Sequence, residues 1–411
     1  MSGQNSLRSL FAPAVIVGAL GYFVDIYDLT LFGIVRVASL KELGFSGDQL
    51  VTHGADLIMI QMIGMLVGGL IAGIYGDRKG RVQLLFGSIL LYSLANIANG
   101  FVTSLEAYKV CRFIAGLGLA GEIGGSITLV SEILSKEMRG YGTMIVATVG
   151  VFGAVVGGLV AGMTNWRIAF FIGGGLGLAL LVLRISVAES GMFNTLKTQR
   201  SGVSRGNFLY LFTDWKRFLK YLRCILIGVP SWYVVGVLGV FSPEFAKALG
   251  VQGEVSAMYA IPFIYLGLTL GDFTSGMLSQ LLKTRRKVVF GFLILTLIAI
   301  GLYFTAHGLS SQIFYAIIFL LGVGIGYWAI FVTIGAEQFG TNIRATVATT
   351  VPNFVRGATV PITASFVYLK STMGIIPGGI IVGVVCVLIA MVALIGMEET
   401  YGKDLDYEEP V

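Results

Sequence analysis

The sequence predicts an all-α membrane protein, with about twelve transmembrane helices in two pseudo-symmetric six-helix halves. Composition is the first reason: of 411 residues, 56% are hydrophobic and 12% charged, against about 25% charged in soluble domains, and mean hydropathy is +0.87. Distribution is the second, because the charges lie in short runs between apolar stretches such as Leu57–Tyr75, Val82–Val102 and Val288–Thr305. Each is near the ~20 residues that cross hydrocarbon as helix. A repeat is the third: Glu132 and Arg139 recur 205 residues later as Glu337 and Arg344. Strand barrels need alternating segments of ~10 residues, which continuous apolar runs exclude.

In chain order, spans are expected at 12–38, 55–76, 83–103, 107–131, 140–164, 168–188, 222–246, 254–282, 287–306, 311–335, 342–369 and 373–396. The first lacks a small-residue cleavage site and reads as a retained helix. The polar stretch 190–221, with Lys197, Arg200, Arg205, Lys216, Arg217 and Lys220, reads as a cytoplasmic linker between an N-terminal half (1–189) and a C-terminal half (222–396). Residues 397–411 read as an acidic, solvated cytoplasmic tail. Parallel six-helix halves place a substrate site between them at mid-membrane.

With this topology, counting basic residues in the first turn of a span with the adjoining loop, 19 of 28 Lys and Arg fall on the proposed inside, while Lys41, Lys109, Arg167, Lys247 and Lys370 fall outside and Arg36, Arg112, Arg184 and Arg356 lie within spans. The positive-inside rule then puts both termini in the cytoplasm; the chain is expected to be a multi-pass, lipid-embedded protein of a bacterial inner membrane and a monomer. Net charge +6 thus reports orientation, and no nucleic-acid partner is expected. Cys111, Cys224 and Cys386 lack CxxC or His spacing, and His53 and His307 lack companions at ligand spacing. Without a P-loop or a nucleophile–base set, no metal, cofactor or enzymatic activity is expected.

Between the second and third spans comes Gly73-Ile74-Tyr75-Gly76-Asp77-Arg78-Lys79-Gly80-Arg81. Its glycines permit a tight turn, its basic residues hold the loop inside, and Asp77 can meet a helix N-terminus or a basic partner. The second half answers with Gly276-Met277-Leu278-Ser279-Gln280, followed by Lys283, Arg285, Arg286 and Lys287. The first run resembles the loop motif GxxxDRxGR of the major facilitator superfamily. That resemblance implies a cytoplasmic gate built from Gly73, Asp77, Arg78, Gly80, Arg81, Glu132, Arg139, Glu337 and Arg344; an ordinary topogenic basic loop is the plainer reading. Gln280 in place of the acid makes the gate electrostatically lopsided.

Asp25 and Asp28, three residues apart on one face of the first helix, stand near mid-membrane. Ionised carboxylates there cost several kcal/mol, so they face a cavity, take a cation or hold protons. The fourth span adds Arg112 and Glu122, ten residues or about 15 Å apart along a helix, so their partners must come from other helices. Asp25-Ile26-Tyr27-Asp28-Leu29-Thr30-Leu31-Phe32-Gly33 resembles EWYDFxLYG, and Arg112 to Gly125 resembles RxxQGxxxGGEWGG, of the metabolite:proton symporter branch. Glu189-Ser190-Gly191-Met192-Phe193 is similar to that branch's ESPxF. Asp25, Ile26, Ala115, Ala120, Ile123 and Gly191 depart from the pattern. The resemblance implies proton coupling through some of Asp25, Asp28 and Glu122, with Arg112 modulating them; pairing that merely stabilises packing is the alternative.

Arg36, Arg112 or Arg356 suits a solute carboxylate or phosphate. Arg356 follows Pro352 and Asn353, and a charge beside helix-breaking residues at membrane depth marks a cavity wall or, alternatively, snorkels to the surface. Tyr27, Trp232 and Tyr233 are aromatic candidates for lining an organic solute, with an interfacial belt as the alternative. Asp272 is a further intramembrane carboxylate to which the resemblance gives no role. The expected activity is alternating-access transport of a carboxylate, amino acid or zwitterion, by proton-coupled symport. A facilitator or exchanger for a metal ion or chelate is the alternative within transport, and a non-transporting sensor or scaffold is the alternative outside it.

Overall fold

The computed structural model describes residues 13–79, 81–120, 139–189 and 208–402. Each of the twelve expected spans carries helix within these residues. The elements are α1 (Pro13–Glu42), α2 (Asp48–Lys79), α3 (Arg81–Asn99), α4 (Leu105–Leu119), α5 (Arg139–Met163) and α6 (Trp166–Glu189). They continue with α7 (Trp215–Leu226), α8 (Val229–Tyr233), α9 (Ser242–Ala248), α10 (Ala257–Leu281), α11 (Arg286–Phe304) and α12 (Ser311–Gly324). Last come α13 (Trp328–Glu337), α14 (Thr341–Gly357), α15 (Thr359–Met373) and α16 (Ile375–Ile395). Among the described residues the only strand-like pairing is one bridge between Gln252 and Ser310, and eight stretches are long and apolar enough to cross a membrane. Large apolar side chains such as Leu302, Leu388 and Val392 are exposed, as lipid-facing surface requires.

Three expectations are corrected. Helix α2 continues through Lys79, so Gly73 and Gly76 are helical rather than part of a tight turn: the hydrogen-bonded backbone simply runs on past the apolar stretch. Helix α7 starts at Trp215, inside the expected linker, because Asp214 caps it by accepting from Arg217 N–H at 2.9 Å. Arg217 also stacks 3.9 Å from the Tyr210 ring and donates to the Tyr210 carbonyl, which orders the short 3₁₀ turn Phe208–Phe212. Finally, the seventh, tenth and eleventh spans are interrupted, at Gly228, at 325–327 and at Ala358.

The chain packs as two compact units, one holding the chain up to Leu31 and Gly64–Arg205, the other Phe32–Ile63 and Gly206 onward. In the first, helices cross backbone to backbone at glycines: Gly64 abuts the Phe113 carbonyl of α4, and Gly153 abuts the Phe23 carbonyl of α1. Within the glycine-rich stretch 150–158 of α5, Gly153 is thus a packing contact. In the second, Gly267 and Gly271 of α10 lie against the carbonyls of Phe319 and Val323, while Gly322 of α12 lies against that of Ile264. Without water to satisfy stray groups, such close approach is how membrane helices gain packing energy.

Gly322→Ala places a methyl where the Ile264 carbonyl stands, at a clash cost of about 1–3 kcal/mol that exceeds the ~1 kcal/mol helix-propensity gain. A lower melting temperature in detergent is expected, whereas Gly291→Ala, with open space at its Cβ, should hold or raise it. Equal melting for both variants contradicts the crossing.

Candidate functional site

In the first unit the site grows from α1, an uninterrupted 30-residue helix. Asp25 and Asp28 are both buried on it, as is Arg112 on α4. Arg112, Asp25 and Asn96 of α3 are the polar side chains that act on Asp28, so the partner that the sequence assigned to another helix is supplied by α4. The Arg112 guanidinium carbon lies 5.7 Å from the Phe170 ring centroid of α6. Tyr27 is buried with its ring beside the Asp28 carboxylate against Gly173, while its hydroxyl donates to the Ala169 carbonyl at 2.9 Å. Glu122 lies outside the described residues.

Asn96 and Asn99, both buried on α3, were not singled out by sequence reasoning. Two amides three residues apart in an otherwise apolar helix were the available signal.

Arg36 lies eight residues beyond Asp28 on α1, about 12 Å further along the axis. Within the second unit its fork donates to both Glu244 oxygens at 2.6 and 2.8 Å, to the Val240 carbonyl at 3.0 Å and to the Leu50 carbonyl at 2.8 Å. Its guanidinium carbon sits 4.6 Å from the Phe241 ring centroid. The expected solute ligand is thus engaged as a clamp between α1, α2 and α9. Lys370 and Asp48 form a further pair in this unit, joining α15 to α2.

Arg356, on α14, is buried with its guanidinium carbon 5.8 Å from the Trp232 ring centroid of α8. Asn353, one turn earlier, and Thr359 and Thr363 on α15 are buried as well. Tyr233 does not share this environment with Trp232: it donates to the Gly379 carbonyl of α16 at 2.6 Å. Tyr27 and Tyr233 therefore play one part in the two units, each tying the opening span of its half to the last.

Of the expected gate, Gly80 and Glu132 lie outside the described residues, and Gly73, Asp77, Arg78, Arg81 and Arg139 are described as helical backbone only. Glu337 pairs with Arg285 at 2.7 Å, and Arg344 donates to the Phe339 carbonyl at 3.2 Å. The start of the acidic tail is docked, contrary to the solvated end expected. Glu399 accepts from Thr284 Oγ1 at 2.5 Å and from the Arg285 and Arg286 amides at 3.0 and 3.2 Å, capping α11 from outside its own sequence. Burial works to raise its pKa, but these hydrogen bonds and that of the Tyr401 amide outweigh it and hold the carboxyl below its ordinary value. Tyr401 reaches Gln280, the residue standing for Asp77 in the second half.

Residues 18–356 match the family model described as Major Facilitator Superfamily. The putative niacin/nicotinamide transporter NiaP of Bacillus subtilis is 26% identical over 348 residues, covering 83% of this chain and 84% of that protein. The gentisate transporter of Corynebacterium glutamicum is 25% identical over 407 residues, 94% of this chain and 88% of that one. Among solved structures, the proton:xylose symporter XylE bound to 6-bromo-6-deoxy-D-glucose shares the fold with a TM-score of 0.70 at 15% identity, covering 98% of both chains.

Removing either partner of the Arg36–Glu244 pair should destabilise the fold by up to about 3 kcal/mol, since the charge left behind is desolvated. Arg36→Lys keeps the charge but cannot span Glu244, Val240 and Leu50 together, so its melting temperature should fall between wild type and Arg36→Ala. A lysine variant as stable as wild type removes the fork from the account.

Proposed function

This chain belongs to the Major Facilitator Superfamily, and from that premise we propose that it is a proton-coupled symporter carrying a small organic carboxylate by alternating access, with both termini cytoplasmic. It is a multi-pass membrane transporter, not an enzyme. The observation that carries the finer reading is Arg356, a guanidinium buried inside a membrane helix bundle beside an indole and flanked by the buried Asn353 and Thr359. A planar guanidinium binds a carboxylate with two parallel hydrogen bonds, and an aromatic wall suits an organic ring beside it. Of the solutes named for two relatives, niacin and gentisate are carboxylates that fit that chemistry, while nicotinamide, named with niacin, is not a carboxylate.

Proton coupling rests on the first unit. Asp28 lies in one buried cluster with Arg112 and with Asp25, two carboxylates to one guanidinium, so the excess carboxylate is the group whose charge a proton can cancel. A conformational change that alters the Arg112–Asp28 spacing changes which protonation state is favoured, and this couples proton occupancy to the transport cycle. Glu122 is retained as a partner in that coupling on the motif alone, and Gly73, Asp77, Arg78, Gly80, Arg81, Glu132 and Arg139 as a cytoplasmic gate on the same basis.

The test is uptake of radiolabelled gentisate and nicotinate into proteoliposomes under an imposed pH gradient. Uptake should collapse with a protonophore. Asp28→Asn should abolish accumulation while leaving solute exchange, and Arg356→Lys should raise KM on the order of tenfold. Normal accumulation by Asp28→Asn removes the proton site, and metal-ion transport without either acid recasts the carboxylates as cargo ligands.

A further inference from the structure

Helix α10 meets the interruption of the tenth span through Asp272. In a continuous helix Trp328 and Ala329 would donate to the carbonyls of Gly324 and Ile325. Here the ladder stops: Gly326 donates to Val323, Tyr327 to Ile325, and regular donation resumes with Phe331 to Tyr327. The break coincides with a close backbone approach to α10, where a Cβ on Gly326 would overlap the Gly271 backbone. Tyr327, the residue at the N-cap of α13, supplies no side-chain cap. Asp272 Oδ1 accepts from the Ala329 amide at 3.0 Å, and the Trp328 amide also bonds this carboxyl. The cap of α13 is thus delivered by the neighbouring helix.

The same break is joined to the one in the seventh span. There Pro230 has no amide to give, and Ser231 N–H bonds the Gly228 carbonyl instead of that of Ile227. The Ile227 carbonyl is left outside the helical ladder, and the buried Tyr327 hydroxyl donates to it at 2.9 Å. Two residues further on begins the helix that carries Ser231 and Trp232, and Trp232 is the ring facing Arg356.

We propose that Asp272 is the positioning residue for this half of the solute site: it fixes the start of α13 as an N-cap supplied in trans, and through Tyr327 it fixes the start of α8 and hence Trp232 opposite Arg356. The part concerning solute rests on the reading of Arg356 above. Acceptance of an amide hydrogen is the required property, which an asparagine oxygen also has and an alanine lacks.

Hydrogen exchange of the detergent-purified full chain tests the cap without any solute. Asp272→Ala should speed exchange in peptides covering 326–332 on the order of tenfold and should also loosen 228–233. Asp272→Asn should match wild type in both. Tyr327→Phe should loosen 228–233 alone. An asparagine variant that exchanges like the alanine variant, or an alanine variant like wild type, overturns the proposal. If Asp272→Ala does not fold, Asp272→Asn and Tyr327→Phe still decide it. Gentisate uptake then supplies the functional arm: a several-fold higher KM for Asp272→Ala at near-normal maximal rate, restored by Asp272→Asn. Absence of uptake by wild type would count against the carboxylate reading only, leaving the exchange results to judge the cap.

Discussion

Everything in this molecule answers to one constraint, the absence of water across most of its length. A backbone amide or carbonyl left without a partner in hydrocarbon costs several kcal/mol. Continuous helix meets the constraint at no further cost, which is why α1 and α2 run for 30 and 32 residues. Wherever a helix stops inside a span, another group must take over. Tyr327 does so for the Ile227 carbonyl and Asp272 for the Ala329 amide. Glu399 does the same work where the tail meets the start of α11.

The constraint also explains which features were legible in the sequence. Apolar runs near twenty residues have essentially one stable form in lipid, so the span positions followed from hydropathy alone. The interruptions of the seventh and tenth spans did not, because the apolar run is unbroken across them: Ser311–Glu337 is a single stretch by composition, yet its helix stops at Gly324 and resumes at Trp328. Only Gly322, Gly324 and Gly326 hinted at it, and glycine in a membrane chain marks close crossings as readily as breaks. At Gly326 it marks both.

Intramembrane charges were legible as positions and not as partnerships. Asp28 and Arg112 stood out because such residues are rare in spans, and they prove to belong to one buried cluster. Arg36 stood out for the same reason, but it is held by Glu244, which sequence reasoning did not single out near the end of the seventh span. Tyr27 and Trp232 looked equivalent as aromatic candidates, yet the Tyr27 hydroxyl is committed to a backbone carbonyl, whereas Trp232 faces a guanidinium. Pairing depends on which helices become neighbours, and composition carries little of that information.

The two units meet the constraint in different ways. Among the described residues of the first, the polar chemistry sits on uninterrupted helix, where no backbone group is free and function must come from charged side chains: Asp25, Asp28 and Arg112. In the second, Arg356 and Trp232 lie beside helix ends, where the backbone itself offers donors and acceptors that Asp272 and Tyr327 occupy. A carboxylate cluster on continuous helix can change charge without unmaking its backbone ladder, which suits a site that gains and loses protons. Around Arg356 the helix starts are held by hydrogen bonds between separate segments, Tyr327 to the Ile227 carbonyl and the Ala329 amide to Asp272, so the placing of Trp232 depends on which helices are neighbours and not on one continuous backbone ladder.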